Sequence, residues 1–403
     1  MRRIAVLDAP SNLGLRPPTP MSVPGCAKAP GALRDQGLLA RLGARDAGCL
    51  TPPRYDPGDW RPGDGVCHAA EIADYSLRLA DRIGALMDAG ELPLVLGGDC
   101  SVLIGSAVAM HRYGAETGTR TGLVFVDGHS DFRHPGNASY VGAAAGEDLA
   151  LVTGRGQPDL TAIEGRRPYF RDLDVVVLGI RAHDEYRLDL QAAGIAFRSV
   201  PQLRVEGAAR SAQWARDQLA DCAGYWVHVD VDVLDPAVMP AVDAPDPGGI
   251  AYAELELLLA GLVATPRCLG LEVTVFDPDY DLDGGYAAEI VNALVSGLAP
   301  AVAAAGPGIG GPGAAGPGIA VAVVGSLGAA GPVIGDFDVG DSGVGDFDVG
   351  DSDVGVGGPG AGGDSDEPAM ADGEPVAADG GEVAADPAGV EMPAVEPAAA
   401  EPA

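Results

Sequence analysis

The sequence predicts an α/β domain in which a doubly wound, mainly parallel sheet is flanked by helices. Three observations lead there. Apolar strand-like runs alternate with helical patterns through residues 1–300, the order expected of repeated strand–helix–strand units. The runs are near-continuous in Val, Leu and Ile rather than alternating with polar residues, which marks strands buried on both faces. Polar residues able to bind a ligand follow three of the runs directly, and ligands collect at the carboxyl ends of parallel strands.

The first strand is expected at Ile4–Leu7. Two arginines precede it, but the apolar stretch is too short for a signal peptide. Leu92–Leu96 follows and ends in Gly97-Gly98-Asp99-Cys100-Ser101. Leu123–Val126 ends in Asp127-Gly128-His129-Ser130-Asp131, and Val175–Leu178 leads to Arg181-Ala182-His183-Asp184-Glu185. Ala196–Val200, Tyr225–Val231 and Leu269–Phe276 complete the strands, with His228, Asp230 and Asp232 in or just after the sixth run. Helical spacing of apolar residues marks stretches that include Ala69–Asp88, Ala208–Asp221, Tyr252–Val263 and Ala287–Leu298.

Composition divides the 403 residues unevenly. After Pro300 there is no Lys, Arg, His, Trp or Tyr, and 18 of the 58 acidic residues lie there. Residues 301–403 therefore read as a disordered acidic tail rich in Gly, Ala and Pro, with too little to bury to offset its ordering entropy. Within it Gly335–Ser342 recurs as Gly345–Ser352, and two copies are too few to stack as a solenoid. A net charge of -33 argues against nucleic acid or an anionic membrane as partner, since both reward Lys and Arg. No unbroken apolar segment of about 20 residues marks a membrane span. Six scattered cysteines without a CxxC pair read as reduced thiols, and the expected location is the cytoplasm.

The chemistry lies in the two acidic runs. A strand turns residues i, i+2 and i+4 to one face. Strand geometry would thus gather Asp127, His129 and Asp131 on one side of the first run, and His228, Asp230 and Asp232 on one side of the second. If the two strands are neighbours, four carboxylates share a small volume that needs cations to hold so much negative charge. Carboxylate oxygens with few imidazoles suit Mn²⁺, and a close metal pair can bring a shared water's pKa toward neutrality.

In their order and spacing, Gly25…Pro30-Gly31-Ala32-Leu33-Arg34, GGDCS at 97–101, DGHSD at 127–131, HVDVDVLDP at 228–236 and FDPDYD at 276–281 resemble the arginase/agmatinase family, the ureohydrolases. The resemblance implies an arginase-like three-layer fold and two Mn²⁺ per subunit at the carboxyl rim. Asp127, His129, Asp131, Asp230 and Asp232 fall on the family's metal ligands, Asp127 and Asp230 on those that bridge. It implies a small guanidino or amidine substrate, urea release, and a homo-oligomer, trimer or hexamer. Asp131 would pass a proton to the departing amine.

Three positions depart from the family pattern. Cys100 replaces a metal-binding histidine: it could ligate and favour Zn²⁺ or Co²⁺, stay neutral beside a weakly held ion, or leave a single metal. Ala145 stands where the proton-shuttling histidine is expected, and His134 nearby reads as a surface residue. Val275 replaces the Glu that grips a guanidinium, which leaves Glu272 as the nearest candidate for a cationic group. His183 and Asp184 are candidates for the substrate's amino end, weighed against ordinary helix capping. His228 reads as a donor that orients a carboxylate, and Tyr140, Glu147 and Asp148 receive no role. The first reading is a dinuclear amidinohydrolase of the urea-releasing type. The alternatives are a formiminoglutamase-like hydrolase, or an arginase-fold binding protein without activity. A related zinc deacetylase is a third possibility, and no clear match exists for its tyrosine.

Overall fold

The computed structural model describes residues 2–19 and 22–303. Eight strands, β1 (Ile4–Ala9), β2 (Arg45–Cys49), β3 (Leu92–Gly97), β4 (Thr121–Val126), β5 (Val175–Leu178), β6 (Ala196–Arg198), β7 (Gly224–Asp230) and β8 (Cys268–Thr274), form one sheet. Its order is β2-β1-β3-β8-β7-β4-β5-β6, and every pairing is parallel. The expected fold class holds.

The side-chain alternation of each strand divides the core in two. Val124 and Val126 point into one apolar cluster with the helices Ala208–Gln218, Tyr252–Val263 and Gly285–Ala303. Leu123 and Phe125 point into the other, with Ala69–Asp88 and Val102–Thr117. Every residue of β3, β4, β7 and β8 is buried, which explains their near-continuous apolar sequences. The last helix, Gly285–Ala303, is long and apolar enough by length and composition alone to cross a membrane, but Glu289 and Asn292 interrupt its apolar run. Its Ile290, Val291, Leu294 and Leu298 are buried in the core, and Gly297 lets it press against Leu259 of the neighbouring helix. That helix also carries the folded body past the expected boundary at residue 300. The proposed tail beyond Ala303 lies outside the described residues.

Sequence reading missed β2. Its Arg-Asp-Ala-Gly-Cys sequence is half exposed at the sheet edge and pairs with β1 alone, so it needs no apolar run. The central four strands, β3-β8-β7-β4, are contiguous. Because they are parallel, the segments after Gly97, Val126, Asp230 and Thr274 emerge side by side on one rim.

Candidate metal centre

At that rim the acidic runs come together, by strand alternation only for His228 and Asp230 on β7. β4 stops at Val126 and β7 at Asp230. The residues beyond them turn: Val231–Val233 form a 3-10 turn, and Asp131 takes a left-handed φ of 42°. Side-chain hydrogen bonds hold the turns. Asp127 Oδ1 accepts the His129 backbone N–H at 2.6 Å, and Asp230 Oδ1 accepts that of Asp232 at 2.7 Å. Gly128 N–H donates to Asp232 Oδ1 at 3.1 Å. A Cβ at Gly128 would lie 2.8 Å from the Asp232 carbonyl oxygen, so only glycine permits this approach.

Arg181, fully buried, locks the second turn from below. Its guanidinium donates to the carbonyl oxygens of Asp232 and Asp246 at 2.8 and 2.9 Å. Sequence reading gave Arg181 no role, because nothing marks an arginine whose partners are all main-chain carbonyls.

Three donor groups result. Cys100, Asp127, His228 and Asp230 each offer an atom within 4.8 Å of the others, as do Cys100, Asp131 and Asp148, and Asp127, His129 and Asp232. All five expected ligands are thus in the cluster, joined by Cys100, His228 and the unassigned Asp148. The Cys100 thiol donates to Asp230 Oδ2 at 2.7 Å, and His129 Nδ1 lies 2.9 Å from Asp232 Oδ2.

Electrostatics show what the cluster is suited to hold. Burial, reinforced by neighbouring carboxylates, pushes Asp127, Asp148 and Asp230 well above the usual carboxylate range. Burial drives Asp131 up to about 8, even against the opposing pull of His129. The Asp232 carboxylate raises His129 to about 10, and His129 in turn keeps Asp232 low despite its burial. Asp127 Oδ2, both Asp148 oxygens and His228 Nε2 are buried without a hydrogen-bond partner among the described residues. Orphaned acceptors among mutually repelling acids fit divalent cations, which would satisfy the lone pairs and neutralise the charge together.

A cavity of about 440 Å³ opens over the centre, with Asp131, Asp184, Asp232, Asp243 and Asp246 on its wall. His183 sits exposed at the mouth with Nε2 3.1 Å from Asp246 Oδ2. Asp184 spends both oxygens on the backbone N–H groups of Ser130 and Tyr186, at 2.9 and 3.0 Å, so it fastens two loops. Glu272 does not line the cavity. It is fully buried beneath the rim, where it meets His228 Nδ1 at 2.8 Å and accepts from Ser106 Oγ at 2.5 Å. The grip on a cationic group expected of Glu272 is corrected accordingly. Val275 lines the cavity instead, turned there by a left-handed φ of 74° just after β8. Ala145, also on the wall, leaves the expected shuttle position without an imidazole. Asp243 and Asp246, from a proline-broken loop, escaped the sequence reading because acids in such loops usually face solvent.

The geometry has counterparts. The arginase family model matches residues 3–299. An arginase from Agrobacterium fabrum is 28% identical over 309 residues, which span 74% of this chain and 91% of that protein. A formimidoylglutamase from Aeromonas salmonicida is 30% identical over 259 residues, 64% of this chain and 75% of its own length. The solved arginase from Bacillus caldovelox aligns with a TM-score of 0.65 at 25% identity, covering 73% of this chain and 98% of that one. With the match running through the whole sheet and across the acidic rim, the chain belongs to the arginase family and is a hydrolase of C–N bonds in guanidino and amidine compounds.

Proposed function

We propose that this chain hydrolyses a cationic linear guanidino or amidine compound at a pair of divalent ions, releasing urea when the substrate is a guanidine. The observation that carries the reading is the ring of cavity-wall carboxylates above a cluster of buried, unpartnered acids. Asp127, His129, Asp131, Asp230 and Asp232 would hold the ions with Cys100 at the edge. The oxygen-rich His129 side suits Mn²⁺. A bound pair supplies Lewis acidity and a water acidic enough to act as a nucleophile near neutral pH.

The chain's own residues do the rest. Asp184 holds the Ser130 loop against the Tyr186 turn, which fixes the cavity wall. Asp243 and Asp246 attract the cationic head of the substrate and orient its planar carbon toward the rim. Asp131, facing the cavity beside His129, carries the proton to the departing nitrogen. His183, at the mouth, meets the far end of the substrate.

One observation favours a second reading, an amidine that also carries carboxylates. Arg133 lines the cavity, and its one hydrogen bond among the described residues runs from Nε to Tyr186 Oη at 3.2 Å, so its remaining N–H donors can receive an acid. A formimidoylglutamase is among the relatives. The test is to load the protein with Mn²⁺, verify bound metal, and supply arginine, agmatine, guanidinobutyrate and formiminoglutamate separately. Urea or formamide from one of them is expected. Metal bound with all four untouched overturns the proposal.

A further inference from the structure

The Cys100 side of the centre possesses an imidazole of its own. His228 is fully buried on β7, stacked on Phe125 with ring centroids 4.8 Å apart and planes 14° from parallel. Its Nδ1 meets Glu272 Oε1 at 2.8 Å, and the other Glu272 oxygen is held by Ser106. A carboxylate on Nδ1 keeps the ring proton there and leaves Nε2 as a lone pair, the arrangement that prepares a histidine to ligate. Nε2 has no hydrogen-bond partner among the described residues. The carboxylate of Asp148 stands 3.9 Å from it, beyond hydrogen-bond reach.

Around that ring the other donors are already gathered. Cys100 Sγ, one oxygen each of Asp127 and Asp230, and the His228 ring lie within 4.8 Å of one another. Ligands of a four-coordinate zinc sit roughly 3.5 Å apart, so small side-chain rotations close the set. The Cys100 sulfur is pressed to 2.7 Å from Asp230 Oδ2, and Asp127 Oδ2 is buried with nothing to accept from. A set of one sulfur, one imidazole and two carboxylates is softer than the oxygen-rich His129 side, and thiolate selects Zn²⁺ or Co²⁺ over Mn²⁺.

We propose that Cys100, Asp127, His228 and Asp230 form a subsite for a thiophilic divalent ion, Zn²⁺ or Co²⁺, in which His228 Nε2 is a direct ligand. The imidazole missing at position 100 is supplied from β7, two strands across the sheet from β3, and the centre is chemically asymmetric. Loading releases the Cys100 proton to solvent, with no change of oxidation state. The inference rests on the divalent-metal reading of the rim and is independent of which amidine is cleaved.

The test is spectroscopic. Full-length protein is stripped with chelator and loaded with one equivalent of Co²⁺ or Zn²⁺. A thiolate-to-cobalt charge-transfer band is expected in the near ultraviolet, absent in Cys100→Ser. X-ray absorption of the Zn²⁺ form should show one sulfur together with imidazole. His129→Ala removes the imidazole on the other side, so imidazole scattering that persists there and disappears in His228→Asn identifies His228 as the ligand. Zn²⁺ affinity should fall at least about tenfold in His228→Asn. Should His228→Asn fail to fold, the His129→Ala spectrum decides alone. No sulfur in the wild-type spectrum, or sulfur without imidazole in His129→Ala, overturns the proposal. An inactive protein that shows both signals keeps this assignment and loses the substrate reading.

Discussion

Stripping the metal should make this protein lose stability as pH rises from about 5 to 8. Without cations the folded state holds Asp127, Asp148 and Asp230 well above the ordinary carboxylate range and Asp131 at about 8, against a usual 3.8. The unfolded chain releases those protons near the usual value. Between the two, the folded state binds more protons, so the slope of unfolding free energy with pH is negative. The stabilisation is complete below the unfolded values and disappears as pH climbs through the folded ones. His129, raised to about 10 from 6.5, adds a loss of the same sign above about pH 6.5. Asp232, lowered from 3.8, acts only below that value and does not oppose the trend in this window. Each extra proton held is worth about 1.4 kcal/mol per pH unit, which in a body of this size lowers Tm by about 3 °C per pH unit. Several carboxyls titrating together make the loss steeper. Metal ions replace the protons, so the loaded protein should show a much flatter profile and a higher Tm at pH 8. Thermal unfolding followed by circular dichroism at pH 5, 6, 7 and 8, with chelator and with Mn²⁺, measures both curves. A chelated protein whose Tm is level or climbs between pH 5 and 8 would refute the claim that these acids are crowded together.

Other perturbations separate the roles of neighbouring residues. Glu272→Gln should leave KM nearly unchanged while weakening metal retention about tenfold, because Glu272 touches His228 and Ser106 rather than the cavity; a large rise in KM with metal retention intact would return it to the substrate. Cys100→His should shift metal preference toward Mn²⁺, and an unaltered competition titration between Mn²⁺ and Zn²⁺ would place residue 100 outside the ligand set. Gly98→Ala would put a methyl group 1.7 Å from the Ser11 carbonyl oxygen, so denaturant unfolding should show a loss of about 3 kcal/mol, and less than about 0.5 kcal/mol would contradict the packing.

The sheet was legible because its strands are buried on both faces, so their apolar runs stand out; β2, exposed at the edge, left no such mark. The DGHSD and HVDVD runs were legible as candidate ligands because few other settings place acids directly after an apolar strand. Their convergence followed from parallel strands sharing a rim; alternation holds for His228 and Asp230 on β7, whereas Asp127, His129, Asp131 and Asp232 lie beyond the strands, on turns closed by carboxylates. Asp148 was not legible. It opens the short helix Asp148–Val152, where an acid ordinarily serves the helix dipole, and only the fold shows it buried next to Cys100 and Asp131. Glu272 was misplaced for a related reason. Sequence spacing finds its strand position but not the His228 across the ladder, its partner in register between β7 and β8.

The three departures from the family pattern have different physical consequences, and together they favour a retuned catalyst over a relic. Ala145 and Val275 remove an imidazole and a carboxylate from the cavity wall, so they alter what enters and how protons leave. Cys100 exchanges a donor within the metal cluster, and the same cluster contains His228 with a lone nitrogen and Asp148 with two orphaned oxygens. Each buried, unsatisfied polar group costs about 1–3 kcal/mol. A binding module with no ion to hold would become more stable by exchanging any of them for an apolar residue of similar size. Keeping Glu272 behind His228, and Ser106 behind Glu272, makes sense only if the exposed lone pair on the far side of the ring has a cation to meet.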